Sequence, residues 1–134
     1  MIIALDFDGT LVGHTFPEIG EPRMWLIERA IQWRKDGDKL ILWTCREDVT
    51  TSDYAHYVPR NYLTEAVEYC KSLGLEFDAV NQQLDEIDDP MLKVGRKIFA
   101  DIYIDDRSAI FNDTEELILN MNDVNDVLKQ VEKP

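Results

Sequence analysis

The chain has 134 residues and a formal net charge of −13, long enough for one domain over 1–134 with a sizeable core and too short for two ordinary ones. Its 45% hydrophobic and 31% charged residues mark a globular chain rather than a disordered or fibrous one. The acidity repels phosphate backbones, so no long nucleic acid is expected as a partner.

No stretch is apolar for long enough to span a bilayer, and Met1 to Asp6 lacks the basic start of a signal peptide. A cytoplasmic location with no membrane partner is therefore expected. Cys45 and Cys70 sit in apolar runs that read as a strand and a helix, which favours reduced core residues over a disulfide.

The first strand covers about residues 1 to 7, and its apolar run Ile2-Ile3-Ala4-Leu5 delivers two carboxylates onto a turn at Asp6-Phe7-Asp8-Gly9-Thr10. Residues two apart on a strand share a face, but Gly9 lets the chain leave strand geometry, so Asp8 need not stay parallel to Asp6. Carboxylates this close repel unless a cation or a shared proton lies between them. The pair thus suggests a divalent metal held by hard oxygen ligands, as magnesium prefers, against the plainer alternative of an acidic Asp-Gly turn.

Residues 9 to 22 carry Gly13, Pro17, Gly20 and Pro22 and read as a loop or small hairpin, a flap with His14, Glu18 and Arg23 in or beside it and able to reach over the end of the first strand. From Arg23 to Asp36 the spacing of Met24, Ile27, Ala30 and Ile31 predicts a helix stopped by Gly37, with Trp25, Leu26 and Trp33 widening its apolar face. Lys39 to Trp43 is a second strand, apolar enough to be central and covered on both faces. It ends at Thr44-Cys45-Arg46, where a hydroxyl, fresh backbone N–H groups and a guanidinium suit a phosphate oxygen.

Residues 48 to 60 lack periodicity and read as an inserted loop whose Tyr54, His56, Tyr57 and Arg60 could touch substrate, with packing or solvent exposure the favoured reading. A second helix runs from Tyr62 to Leu73 before Gly74, and Phe77 to Val80 forms a short third strand. The acidic segment 81 to 90 lacks the central glycine and closing glutamate of a calcium loop and reads as solvated. Ile98 to Ile104 is the fourth strand, running into Asp105-Asp106 and Arg107. Asp113 with Glu116 offers a capping box for a last helix to about Lys133.

Strands alternating with helices predict a three-layer, Rossmann-like α/β fold: a parallel sheet with helices on both faces and ligands at the carboxyl ends of its strands. Asp6 and Asp8, Thr44 and Arg46, and Asp105 and Asp106 all fall at such ends. At these residues the chain resembles the haloacid dehalogenase superfamily of phosphohydrolases over nearly its whole length. Asp6-x-Asp8-Gly9-Thr10 is similar to the first motif of that superfamily, Thr44 to the second, Lys97 to the third and Asp105-Asp106 to the fourth. Leu-Trp-Thr-Cys-Arg-Glu and Ala-Asp-Ile-Tyr-Ile-Asp-Asp-Arg resemble its small, capless bacterial and phage members.

The resemblance implies a magnesium-dependent phosphatase acting on a small phosphorylated metabolite or nucleotide. Asp6 would attack phosphorus and become an aspartyl phosphate, while Asp8 would protonate the leaving oxygen and then activate water. Magnesium would be held by Asp6, the Asp8 backbone carbonyl and Asp106, with Asp105 a supporting or additional ligand. Thr44 and Lys97 would bind phosphate oxygens, within a substrate-binding set completed by Gly9, His14, Cys45 and Arg46.

Two features depart from the superfamily pattern. Lys93 competes with Lys97 for the third motif, and no separate cap domain is expected, because about 35 residues between Asp8 and Thr44 hold only a flap and one helix. The site should be open unless residues 48 to 60 or a homo-oligomer cover it. Competing readings are a polynucleotide end phosphatase, which the net charge disfavours, and a phospho-accepting signalling module. In receiver modules the adjacent acidic pair comes first in the chain; here it comes last.

Overall fold

Ile3, Ala4 and Leu5 are almost entirely removed from solvent, which requires the strand they form to be paired on both edges and packed on both faces. In the computed structural model, which describes residues 1–51 and 57–107, that strand is β1 (Ile2–Leu5). It runs parallel to β2 (Lys39–Leu42) on one side, with Ile3 opposite Leu40, and to β6 (Ile102–Ile104) on the other, with Leu5 opposite Ile104. A short β5 (Ala79–Val80) adds to the far edge of β2, completing an all-parallel sheet in the order β5-β2-β1-β6. The protein is therefore α/β, as the alternation of elements predicts. The capping box at Asp113 and its helix, and Tyr54 and His56 of the 48–60 loop, lie outside the described residues.

Side chains alternate across this sheet with a period of two. On one face Ile3, Leu5, Leu40, Leu42 and Ile104 meet α1 (Met24–Lys35) and α2 (Tyr62–Ser72), which contribute Leu26, Ile27, Ala30 and Trp33, and Ala66 and Cys70. On the other face Ala4, Ile41 and Ala79 meet Leu84, Ile98 and Ala100 from the segment that carries the short α3 (Pro90–Val94). Full burial of each large aliphatic side chain is worth about 1.5–3 kcal/mol, so the two faces together anchor β1. Met24, expected on the inner face of its helix, is exposed, whereas Trp33 is buried. Cys70 is a core thiol pushed up to about 12 by burial; Cys45 is exposed in the loop after β2, so the core expectation holds for only one of the two.

Three local features were not visible as periodicity. The region read as a structureless insertion contains an antiparallel pairing of β3 (Asp48–Val49) with β4 (Arg60–Asn61). That pairing brings Asp48 to the start of α2, where its carboxylate accepts from the Leu63 and Thr64 N–H groups at 3.0 and 2.9 Å and from the Thr64 hydroxyl. The fourth strand begins at Ile102 rather than Ile98. The Tyr103 hydroxyl takes the Ala100 N–H and donates to the Ile98 carbonyl, and the Gln83 side-chain amide pairs with both backbone groups of Phe99, so this stretch is satisfied without a strand partner.

Among the described residues no helix is long and apolar enough to cross a membrane. Because α2 has no capping side chain of its own at Asn61, Asp48→Ala should destabilise the protein by about 1 kcal/mol, the usual loss for a helix N-terminal cap. Urea unfolding monitored by circular dichroism measures this, and an unchanged midpoint would remove Asp48 from that role.

Candidate functional site

The β1–β6 ladder continues one step past the strand, with the Asp6 N–H donating to the Ile104 carbonyl at 3.0 Å. This step fixes Asp6 beside the two aspartates that follow β6. The chain then turns at once: the Phe7 carbonyl accepts from Thr10, Leu11 and Val12, Phe7 is wholly buried, and Gly9 adopts φ +86°. A Cβ at Gly9 would lie 2.2 Å from Asp106 Oδ2, so a side chain there would push away the acid that Asp6 has to meet. The Gly9 N–H donates to the Val12 carbonyl. Gly9 acts here by letting Asp106 approach, and its own donor is engaged within the turn.

Thr10 ties the two strand ends together. Its hydroxyl, fully buried, accepts the Asp106 N–H at 2.9 Å and donates to Asp6 Oδ2 at 3.3 Å. Arg23 holds the same turn from outside, donating to the Thr10 and Gly9 carbonyls at 2.8 and 3.2 Å. Asp6, Asp105 and Asp106 each present a carboxylate oxygen, and these oxygens lie within 4.8 Å of one another. Burial, followed by the Asp105 and Asp106 charges, pushes the Asp6 carboxyl up to about 7 against the partial relief of its hydrogen bonds. Asp106 is raised as well, by burial and then by its hydrogen bond and charge interaction with Asp105, with Arg107 and His14 pulling the other way.

Asp8 has a different environment although it is only two residues away. Both of its oxygens accept from Arg46, from Nε at 2.8 Å and Nη2 at 2.9 Å. The guanidinium is 2% exposed, lies 5.0 Å from the Phe7 and Phe16 ring centroids, and donates further to the Tyr62 and Glu18 carbonyls. A buried arginine is tolerable only with this degree of pairing. Arg46 thus serves first to hold Asp8, where the sequence suggested a phosphate contact.

The loop after β2 is pinned from β5 by Asn81, which has φ 52°. Its side chain accepts the Thr44 N–H at 2.8 Å and donates to the Arg46 carbonyl, and the Thr44 hydroxyl accepts the Arg46 N–H. This leaves the exposed Cys45 N–H without an acceptor among the described residues. A cavity of about 350 Å³ brings together Asp6, Asp8, His14, Thr44, Cys45, Arg46, Asp105 and Asp106, and adds Phe16, Tyr57 and Arg107. Its volume is within the range of small-ligand sites. A smaller cavity of about 150 Å³ between the end of α1 and Gly74 is lined by Arg34, Lys35 and Glu76 and has no cluster of carboxylates.

Neither candidate lysine joins this lining. Lys97 is exposed with its amine 5.0 Å from the Tyr103 ring centroid, and Lys93 is paired with Asp88. Arg107 is the cation that does reach the cavity after the acidic pair. Arg23 reaches over the end of the first strand as its place beside the flap suggests, whereas Thr10 and Asn81 are site-building residues the sequence reading left without a role of their own. For Thr10, a hydroxyl within an acid-rich turn was the available signal; Asn81 had none, because its partners are more than thirty positions away.

A solved structure described as that of a conserved protein coded by a locus from Bacteroides thetaiotaomicron is similar to this chain with a TM-score of 0.69 and 31% sequence identity, covering 100% of this chain and 98% of that one. The chain belongs to the family of that conserved protein. No family model matches it, and no curated protein does.

Three clustered carboxylates, one of them with strongly raised proton affinity, form a donor set that suits a hard dication such as magnesium. Because the folded Asp6 holds its proton more tightly than the ordinary value of 3.8, its stabilising protonation is complete below about pH 4 and is lost as pH rises through about 7. In metal-free buffer the melting temperature of the wild type should therefore fall, relative to Asp6→Asn, between about pH 4 and pH 8. Parallel melting curves across that range would mean that the Asp6 charge is not electrostatically strained.

Proposed function

We propose that this protein is a magnesium-dependent phosphomonoesterase working through a phosphoaspartyl intermediate on Asp6, with a small phosphorylated metabolite or nucleotide as substrate. The observation that carries this reading is the meeting of Asp6 with Asp105 and Asp106 within 4.8 Å at the carboxyl ends of β1 and β6, in a cavity bordered by Thr44 and Cys45. The order of motifs that resembles the haloacid dehalogenase superfamily supports the same chemistry.

Asp6, Asp106 and Asp105 would hold the ion, with the Asp8 backbone carbonyl added on the pattern of the resemblance. When bound, magnesium supplies charge neutralisation for the transferring phosphoryl group. An Asp6 oxygen forms the bond to phosphorus as the bond to the leaving oxygen breaks, and Asp8 delivers the proton that the leaving oxygen needs. Water then attacks phosphorus, the Asp6–phosphorus bond breaks, and Asp8 takes the proton from that water. Since Arg46 binds both Asp8 oxygens, Asp8 must enter the cycle protonated, with the proton-bearing oxygen turned out of the guanidinium fork toward the leaving group, and the proton taken from the attacking water restores that state. The Cys45 N–H and the Thr44 hydroxyl are the nearest phosphate-oxygen partners at the end of β2. Arg107 lines the cavity, which neither Lys93 nor Lys97 does, and is the cation after the acidic pair that could meet a phosphate oxygen.

Phosphate release from a panel of phosphorylated metabolites, run with magnesium and then with chelator, tests the proposal. Asp6→Asn should lose at least about a thousandfold in kcat with its circular dichroism unchanged, as expected for removal of a covalent nucleophile. A mutant working at the wild-type rate would exclude Asp6 as that nucleophile. Stable phosphorylation of Asp6 without phosphate release would instead favour the signalling module.

A further inference from the structure

The reactive cavity does not end at Arg46. A second cavity of about 240 Å³ adjoins it, and Phe16, Cys45, Arg46 and Tyr57 line both. Its other walls come from Glu47, Asp48, Val49 and Tyr62. Three aromatic rings cluster here: Phe16 and Tyr57 with centroids 6.0 Å apart, Phe16 and Tyr62 at 5.4 Å, and Tyr57 and Tyr62 at 6.1 Å. Tyr62 is the buried base of the cluster, its hydroxyl donating to the Val58 carbonyl at 2.7 Å. Phe16 and Tyr57 remain 37% and 48% exposed, which is unusual for two large rings in contact beside a polar site.

The charged groups around the rings are already engaged. Arg46 is bound to Asp8, Arg60 to Glu18 and Glu65, and the Asp48 carboxylate caps α2. An anionic leaving group would find no uncommitted guanidinium here among the described residues and would meet the Glu47 carboxylate. A neutral planar ring would find two partly exposed aromatic surfaces continuous with the cavity of the reacting carboxylates.

We propose that Phe16 and Tyr57, supported by Tyr62, form a stacking subsite for a planar aromatic ring on the leaving group, so that the preferred substrates are nucleoside monophosphates or arylalkyl phosphates rather than sugar phosphates. This inference rests on the phosphomonoesterase reading for the chemistry, and on the aromatic cluster alone for the selectivity. Base stacking on an aromatic side chain is tolerant of base identity, since every base offers a π face. Broad acceptance of nucleobases follows.

The test compares kcat/KM for a nucleoside monophosphate, benzyl phosphate and ribose 5-phosphate, and measures mononucleotide binding by saturation-transfer NMR. The wild type should prefer both ring-bearing esters to ribose 5-phosphate by about tenfold or more, the scale of one stacked ring. Tyr57→Ala should reduce that ratio about tenfold and Tyr57→Phe should keep it. Preference for the mononucleotide but not for benzyl phosphate would place recognition in the hydrogen-bonding edge of the base and overturn the stacking subsite. A ratio near one in the wild type, unmoved by Tyr57→Ala, would also overturn it; if the substitution instead changed the mass in solution, the rings would be a contact between copies of the chain. Absence of turnover with every ester, together with mononucleotide binding lost in Tyr57→Ala and kept in Tyr57→Phe, would sink the phosphatase reading and leave the subsite standing.

Discussion

Burial and mutual repulsion of the carboxylates gathered at the carboxyl ends of β1 and β6 are the constraint around which this structure is arranged. Asp6 and Asp106 approach because β1 pairs with β6, because Gly9 has no Cβ to intervene, and because a single buried hydroxyl on Thr10 binds both ends. None of these contacts supplies positive charge. Burial, and after it the repulsion among these charges, raises the proton affinity of Asp6 and Asp106, a cost that protonation or a cation relieves. The fold holds this strain because the strand carrying Asp6 is buried on both faces and cannot slide away.

Asp8 shows the opposite solution to the same problem. Its charge is matched within the protein by Arg46, and the two acids of the turn therefore end in distinct settings: one crowded by anions, the other gripped by a guanidinium. Two carboxyl groups placed in contrasting environments are suited to different tasks. On the proposed mechanism, Asp6 bonds to phosphorus and Asp8 moves the proton.

The parts of this arrangement that were legible in the sequence are those set by local pattern. Apolar runs ending in acids located β1 and β6, Gly37 and Gly74 marked helix ends, and helical spacing found α1 and α2. The parts that were not legible depend on side chains that travel far. Asp48 caps a helix fifteen positions later, Tyr103 satisfies the backbone of Ile98 and so shortens a predicted strand, and Asn81 shapes the loop after β2. Lys97 illustrates the reverse error. Its position in the order of motifs suggested the phosphate site, but chain order does not fix where a long side chain reaches, and its amine lies over Tyr103.

Arg46 connects the two halves of the site. It is buried, so its charge must stay paired, and its partners are the Asp8 carboxylate and the Phe7 and Phe16 rings, each with its centroid 5.0 Å from the guanidinium carbon. Phe16 belongs also to the aromatic cluster with Tyr57 and Tyr62. A ring that settled against Phe16 would therefore act on the same packing that positions the guanidinium, and through it on Asp8. Removing Arg46 would leave an acid without its partner and an aromatic pair without its filling, which is why this residue cannot be assigned to chemistry or to structure alone. On the proposed function, selection of the leaving group and delivery of its proton would share one buried cation, and a substrate that fits the rings would be felt at the proton donor before any bond to phosphorus forms.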